Sequence, residues 1–261
     1  MAETHQGYET APFSKMRRMQ AEGMRLGGKR STIHGLLEVD VTKARQFIHD
    51  HKARTGETLS FTAWVTTCLG KAVDMDRRVH AYRDWRNRLV IFEDVDVNTV
   101  FETEDDGEKV VVAYFVRAAN RKSFRQIHDE IRAFQAPGRI GTQVKVMKLF
   151  WTLPGFLRRI FYWVVFHNPH LLKKSFCTVA VSAIGMFGKG GGWGIPVANH
   201  TLSVILGGIA EKPVLLDGRL ENREYLCVTV SFDHCIVDGA PATRFAQRFK
   251  DLLESGYGLT D

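Results

Sequence analysis

The chain has 261 residues, enough for one large domain or two small ones, and its 44% hydrophobic content is sufficient for a substantial core. The net charge of +7 is uneven: nine basic residues and no acidic residue fall between Ile131 and Ala210, which leaves 27 basic against 29 acidic residues elsewhere. Such a region attracts polyanionic cofactors, acidic lipid headgroups or nucleic acid, and nucleic acid is the weakest of these because no motif for binding it is present.

The cysteines, Cys68, Cys177, Cys227 and Cys235, do not have the spacing of a metal site. The start of the chain, Met1 to Thr10, is polar and does not resemble a signal peptide. We therefore expect a reduced, cytoplasmic setting and no metal.

The first part of the chain predicts a helix, a strand and two more helices. Residues 1–11 are expected to be flexible, and Pro12–Arg30 is a basic segment with helical potential. Ser31–Val41 alternates as a strand does, and a helix with Thr42 as its cap follows it. Ser60–Asp74 is an apolar helix with Ser60 as its N-cap and Cys68 as a core residue.

The next region predicts strands and a further helix. Val79–Val100 is interpreted as two strands joined near Arg86 and Asn87, and an acidic hairpin tip, Glu102–Glu108, precedes a returning strand, Lys109–Val116. Ser123–Phe134 has the spacing of an amphipathic helix.

Four aspartates in this region raise the question of a cation site: Asp94, Asp96, Asp105 and Asp106. They lack the spacing of a calcium loop, and Asp94 and Asp96 alternate with valines. An exposed strand face is therefore favoured over a cation site.

The segment Val144–Phe166 is aromatic and basic. Its longest uninterrupted apolar run, Ile160–Phe166, is far shorter than the roughly 20 residues of a membrane span, and Pro154 should break or kink a helix. Three interpretations stay open for it: a hairpin of helices packed inside the domain, a subunit interface, or an amphipathic element lying on an acidic membrane.

A strand, Ser175–Ser182, precedes a glycine-rich loop, Ala183–Gly194. The loop lacks both the Gly-Lys-Ser/Thr ending of a P-loop and the Gly-x-Gly-x-x-Gly fingerprint of dinucleotide-binding folds. Its glycines are expected to allow positive φ angles and close backbone approach.

Near the C-terminus, an alternating strand, Cys227–Phe232, precedes an amphipathic helix, Ala240–Leu253. His234 therefore lies at a strand end before a turn made by Asp238 and Gly239, where glycine can take a positive φ. An imidazole in this position can be a general base, with the carboxylate organising the turn. From spacing alone, a simple hydrogen-bonded turn is the commoner explanation.

The segment SFDHCIVDGAPATRF resembles the His-x-x-x-Asp-Gly signature of the acyltransferase (E2) catalytic domains of 2-oxo acid dehydrogenase complexes, relatives of chloramphenicol acetyltransferase. Further similar motifs occur in the family's order: a Pro-x-Ser-x-Met-Arg run from Pro12, the Glu38–Thr42 turn, Ser182 to Gly185, and Asp217-Gly218. The likeness covers Pro12–Glu254 except about 138–174.

The resemblance implies an α/β two-layer sandwich of the chloramphenicol acetyltransferase type, a mixed sheet with flanking helices, over residues 12–256, with 138–174 as an insert. It implies a homotrimer in which His234 is the base and a neighbour's Ser182 donates to the oxyanion. Asp238 would be held by Arg17, and Gly239 would support the turn. The implied substrates are acyl-coenzyme A and a dihydrolipoyl thiol, and Cys235 is expected to be a bystander.

Several parts of an E2 protein are not found: a lipoyl domain with its lipoyl-lysine, an Ala/Pro-rich linker and a subunit-binding domain. A stand-alone acyltransferase acting on a lipoylated protein or a small-molecule acceptor is therefore expected. The alternative is a catalytically silent scaffold or membrane-associated oligomer that uses Phe150–Phe166 for assembly. His34 is expected to be a packing or surface residue, and the residues that bind coenzyme A are not predicted.

Overall fold

A computed structural model describes residues 3–5, 7–13, 17–18, 21–22, 24–25, 30–105, 108–135, 150, 152–185, 188–197 and 199–259. The strands are β1 (Glu3–His5), β2 (Tyr8–Thr10), β3 (Thr32–Asp40), β4 (Tyr82–Arg83), β5 (Leu89–Val90), β6 (Val97–Asp105), β7 (Glu108–Val116), β8 (Val179–Ala183), β9 (Leu202–Leu216) and β10 (Arg219–Asp233). The α-helices are α1 (Thr42–Thr55), α2 (Phe61–Met75), α3 (Phe124–Gln135), α4 (Gly155–His167), α5 (Pro169–Phe176) and α6 (Gly239–Glu254).

The centre of the fold is a mixed sheet with the strand order β3-β10-β9-β8-β6-β7. β8 pairs in parallel with both β6 and β9, whereas the pairs β3–β10, β9–β10 and β6–β7 are antiparallel. Asp217 and Gly218, with φ angles of 48° and 78°, form the tight turn between β9 and β10. The predicted mixed sheet with flanking helices is therefore confirmed.

The alternation of side chains gives the sheet two different faces. One face is apolar, with Val181, Val204 and Val230 in a core closed by α2, α3 and α6. The opposite face carries Ser182 on β8, and Ser203 lies on the same face of β9. The polar side chains on this second face line the candidate site.

Local signals located most helices correctly. Ser60 caps α2 by accepting a hydrogen bond from the backbone N–H of Ala63 at 3.2 Å, and Cys68 is fully buried, as predicted. Thr42 is not the cap of α1 but its first residue. The carboxylate of Asp40 accepts hydrogen bonds from the Thr42 backbone N–H and hydroxyl instead, at 2.9 and 2.6 Å.

The two strands predicted in Val79–Val100 pair on either side of Arg86 and Asn87 as β4 and β5, but the second strand stops at Val90 and β6 begins only at Val97. The exposed face expected for Asp96 is wrong. Asp96 is buried and accepts hydrogen bonds from the Arg117 guanidinium at 2.9 Å and the Ala118 backbone N–H at 2.9 Å. These hydrogen bonds hold Asp96 outside the sheet, and β6 begins at the next residue. Asp106 lies outside the described residues.

The predicted flexible N-terminus contains a small hairpin, β1 with β2, and its flexibility stays a prediction. Residues 17–18, 21–22 and 24–25 are helical, while Ser14 and Met16 of the Pro-x-Ser-x-Met-Arg motif lie outside the described residues.

The described part of the 138–174 insert consists mainly of two helices, α4 and α5; residues 138–149 and 151 are outside it. Pro154 stands immediately before α4, so it begins a helix rather than bending one. None of the helices in the described ranges is long and apolar enough to cross a membrane.

Candidate active site

His234 is the first residue after β10, in the turn that leads to α6. Its Nδ1 lies 3.2 Å from the carbonyl oxygen of Val237 and 3.8 Å from a carboxylate oxygen of Asp238. A carbonyl oxygen only accepts hydrogen bonds, so in the neutral imidazole Nδ1 carries the proton and Nε2 keeps its lone pair. The side chain is 46% exposed, so the ring is accessible to solvent.

The residue that anchors the turn is Asp233, which the sequence analysis did not single out. One carboxylate oxygen accepts from the backbone N–H of Cys235 at 3.1 Å, and the other accepts from the guanidinium of Arg30 at 2.7 Å. The Asp233 backbone carbonyl also accepts from the N–H groups of Ile236 and Val237. The side chain and the backbone carbonyl of Asp233 thus both hold the turn that carries His234.

Arg30 is itself held in place. Its guanidinium lies over the ring of Tyr82 at 5.7 Å, and the Tyr82 hydroxyl donates to the carbonyl oxygen of Cys177 at 2.7 Å. No local sequence pattern points to this pair, because 203 positions separate Arg30 from Asp233.

Asp238 precedes α6 in an extended conformation, and its side chain does not cap the helix. Among the described residues the ionisable side chain within 4 Å of its carboxylate is that of His234, and the implied pair with Arg17 stays a prediction. The positive φ expected of Gly239 is wrong, because this glycine begins α6 without a left-handed conformation. Cys235 is exposed and lies in the turn, since β10 already ends at Asp233 and strand alternation does not extend to it.

Ser182 lies on β8 and faces a groove of about 400 Å³. The groove wall includes Asn98, Asn199, Ser203 and His200. The side-chain oxygens of Asn98 and Asn199 are buried without a hydrogen-bond partner in the described part of the chain. Unsatisfied buried acceptors of this kind are uncommon, and a bound molecule with N–H or O–H donors would satisfy them.

The glycine-rich loop packs against the strand beside this groove. Gly208 on β9 donates its backbone N–H to the carbonyl oxygen of Gly192 at 2.9 Å, and a Cβ at Gly207 would collide with that same oxygen. Gly190 has a φ of 82°. The expected positive φ and close backbone approach are therefore both confirmed.

Two histidines near the site are structural. Burial lowers the pKa of His80 and of His200 to about 4, so both are neutral near pH 7. The His80 ring bonds to Thr178 and to the Phe92 carbonyl, and the His200 ring donates to the carbonyl oxygen of Phe176 at 2.7 Å. His34, predicted to pack or lie on the surface, contacts the hydroxyl of Ser231 at 2.8 Å.

His234 and Ser182 are far apart within one chain. Ser182 is in register with Ile205, and Ile205 with Thr229, five positions before His234. Two strand spacings of about 4.8 Å and five residues at about 3.3 Å give a separation of about 19 Å between their backbones. One chain cannot bring both side chains to the same carbonyl group.

The sheet order and the polar face define a fold of the chloramphenicol acetyltransferase type. A chloramphenicol acetyltransferase structure matches 92% of this chain and 98% of its own with a TM-score of 0.52, at 14% identity. The structure of a probable dihydrolipoamide acetyltransferase from Listeria monocytogenes has a TM-score of 0.72 over 96% of both chains, at 18% identity. An Azotobacter vinelandii dihydrolipoamide acetyltransferase, with 17% identity, has a TM-score of 0.72 over 97% of this chain and 94% of its own.

Sequence comparison identifies the family. Residues 5–144 and 170–259 match the family described as "2-oxoacid dehydrogenases acyltransferase (catalytic domain)", and the chain belongs to it, as the resemblance implied. The unmatched residues between these ranges fall within the predicted insert.

The curated relatives are components of larger complexes. The acetyltransferase component of the Staphylococcus aureus pyruvate dehydrogenase complex is 29% identical over 94% of this chain and 51% of its own length. The succinyltransferase component of the Staphylococcus saprophyticus 2-oxoglutarate dehydrogenase complex is 26% identical over 84% of this chain and 46% of its own. The chain thus spans about half the length of these relatives.

Proposed function

We propose that this chain transfers an acyl group between coenzyme A and a thiol, the first candidate acceptor being a dihydrolipoyl group on another protein. Both curated relatives are dihydrolipoyllysine-residue acyltransferase components, which supports this substrate class. The observation that carries the proposal is the His234 ring: its Nδ1 is engaged by a carbonyl oxygen, and its side chain is 46% exposed. That is the arrangement a general base requires.

The spacing of three residues supports the same roles. The Azotobacter vinelandii structure was determined to study a serine, a histidine and an asparagine in the catalytic mechanism, the histidine 52 positions after the serine and 4 before the asparagine. Ser182, His234 and Asp238 have the same separations of 52 and 4. This agreement favours a part in the mechanism for Ser182, His234 and Asp238.

In the proposed reaction, Nε2 of His234 takes the proton of the acceptor thiol, and the sulfur attacks the carbonyl carbon of the acyl-coenzyme A. The oxyanion of the tetrahedral intermediate accepts a hydrogen bond from the Ser182 hydroxyl. When the carbon–sulfur bond to coenzyme A breaks, the imidazolium returns its proton to the leaving thiolate. No covalent intermediate with the enzyme forms, so Cys235 has no role in the reaction.

We further propose that each site is shared between two chains of a homotrimer. The separation of about 19 Å between the His234 and Ser182 backbones of one chain supports this, because the base and the oxyanion donor must meet at one carbonyl group. The pantetheine arm of coenzyme A contains two amide groups, whose N–H donors suit the unsatisfied oxygens of Asn98 and Asn199 in the groove.

The first test measures release of free coenzyme A from acetyl-coenzyme A with dihydrolipoamide as acceptor. The His234→Ala variant should lose about 10²- to 10⁴-fold in rate and the Ser182→Ala variant about 10²- to 10³-fold. The Cys235→Ser variant is the matched control, adjacent to His234, and should keep the wild-type rate. Equal rates for the wild type and His234→Ala would instead favour the catalytically silent scaffold.

The second test separates a shared site from one within a chain. Co-expression of His234→Ala and Ser182→Ala chains should restore activity, because in random mixed trimers about a quarter of the sites combine an intact histidine with an intact serine. Activity no higher than that of either variant alone would exclude the shared site.

A further inference from the structure

Helix α4 leaves a wide apolar surface uncovered. At 3.6 residues per turn, six large apolar side chains of this helix occupy an arc of about 160°. Their exposed fractions run from 41% at Leu157 to 63% at Phe156. We call them the α4 face: Phe156, Leu157, Ile160, Phe161, Trp163 and Val164.

The opposite side of α4 is already packed. Val165 is buried in a cluster with Tyr82, Phe92 and Leu172, and Tyr162 is buried as well. Since that side packs against the domain, the α4 face points outward and is not part of the core. A surface patch of this size and composition marks an interaction site.

Positive charge borders the α4 face. Arg159 lies at one edge of the arc and forms, with Arg25, one side of an open groove of about 490 Å³ that also contains Ile160 and Trp163. The groove's carboxylate, Glu22, is paired with Arg158 at 3.1 Å. Within the described ranges, Arg25 and Arg159 have no carboxylate within ion-pairing distance, so the groove retains uncompensated positive charge.

The charge extends beyond the groove. No acidic residue occurs between Ile131 and Ala210, so the segment that contains α4 and α5 has no acidic side chains of its own. Two features must therefore be matched by one partner: an apolar surface rich in Phe and Trp, and guanidinium groups at its edge.

We propose that the α4 face docks on an anionic lipid bilayer, with the helix lying in the interface plane. Tryptophan and phenylalanine side chains are stable at the level of the headgroups and acyl chains, while arginines at the edge pair with lipid phosphates. A helix of 13 residues is about 20 Å long, which suits lying on the surface. The proposal does not depend on the acyl transfer described above.

The test is flotation of the full chain with phosphatidylcholine vesicles and with vesicles that also contain phosphatidylglycerol. The wild type should float only with the anionic vesicles, and added salt should release it. Ile160→Glu and Trp163→Glu should each reduce the bound fraction at least tenfold. Arg159→Glu should weaken binding by about fivefold or more, the effect of one surface cation.

Leu220→Glu is the matched control, because Leu220 is an exposed leucine on the β9–β10 hairpin, outside the α4 face, and it should float like the wild type. The substituted side chains are exposed, so circular dichroism should show unchanged folding in every variant. Coenzyme A release with soluble substrates should also be unchanged.

Three results would overturn the proposal. The first is that the wild type does not float with anionic vesicles. The second is equal flotation with neutral vesicles, which would remove the role of charge. The third is a change of oligomeric mass in light scattering for Ile160→Glu with no effect on flotation, which would make the α4 face a contact between copies of the chain.

Discussion

The pair of Arg30 and Asp233 should be a strong ion pair that positions the turn carrying His234. The two side chains are 19% and 8% exposed and their nearest atoms are 2.7 Å apart. We propose to break the pair by Arg30→Gln, by Asp233→Asn and by both together. An asparagine at 233 still offers an oxygen to the backbone N–H of Cys235, so the double-mutant cycle isolates the charge interaction.

The expected magnitude follows from the geometry. Charge centres about 4 Å apart attract by about 4 kcal/mol at an effective dielectric constant of 20. Desolvation of two mostly buried groups offsets part of this, so the coupling energy should be about 1.5–3 kcal/mol. The reference pair, Arg45 with Glu224, is nearly as short at 2.8 Å but 45% and 26% exposed, and should give about 0.5 kcal/mol or less.

Urea unfolding of the four proteins in each cycle measures both coupling energies. The Asp233→Asn variant should also lower kcat more than it raises KM, because His234 is displaced while the groove stays intact. A coupling energy for Arg30 and Asp233 no larger than that of the reference pair would refute the reasoning, and so would an unchanged kcat in a variant shown to have lost the pair.

Two further predictions concern stability. Burial lowers the pKa of His80 and His200 from 6.5 to about 4, so between these pH values the unfolded chain binds protons that the folded chain does not. The free energy of unfolding should therefore fall as the pH drops from 6.5 to 4, by roughly 1.4 kcal/mol per pH unit for each histidine. A free energy of unfolding that urea titrations find unchanged over this range would contradict the prediction. A Cβ at Gly185 would overlap the Gly207 carbonyl, so Gly185→Ala should lower the melting temperature sharply, whereas Gly188→Ala, with open space around it, should match the wild type in calorimetry.

The parts of the fold that the sequence predicted are those whose signals are local. A serine before an apolar helix identified the cap of α2, and apolar alternation located β3 and β10. The break before Val97 could not be predicted in this way. It depends on Arg117, 21 positions from Asp96, and on burial that alternation alone does not reveal.

In the candidate site, too, local features were predicted and long-range contacts were not. His234 was located by a short motif, but the carboxylate nearest to the motif, Asp238, is not the one that anchors the turn. That role belongs to Asp233, whose partner Arg30 lies at the other end of the chain. A partner at such a sequence distance leaves no periodic or spacing signal, so only the folded structure could identify it.

The insert and the turn that carries His234 are linked by a chain of direct contacts. Val165 and Leu172 of the insert pack against Tyr82, whose ring lies under the guanidinium of Arg30, and Arg30 holds Asp233, the residue before His234. Since α4 is fixed through this packing, a bilayer bound to the α4 face would have a defined orientation relative to the turn that carries His234. The insert therefore reaches the sheet at the end that carries His234, immediately before β8: Val179 is in register with Leu202, and Leu202 with Phe232.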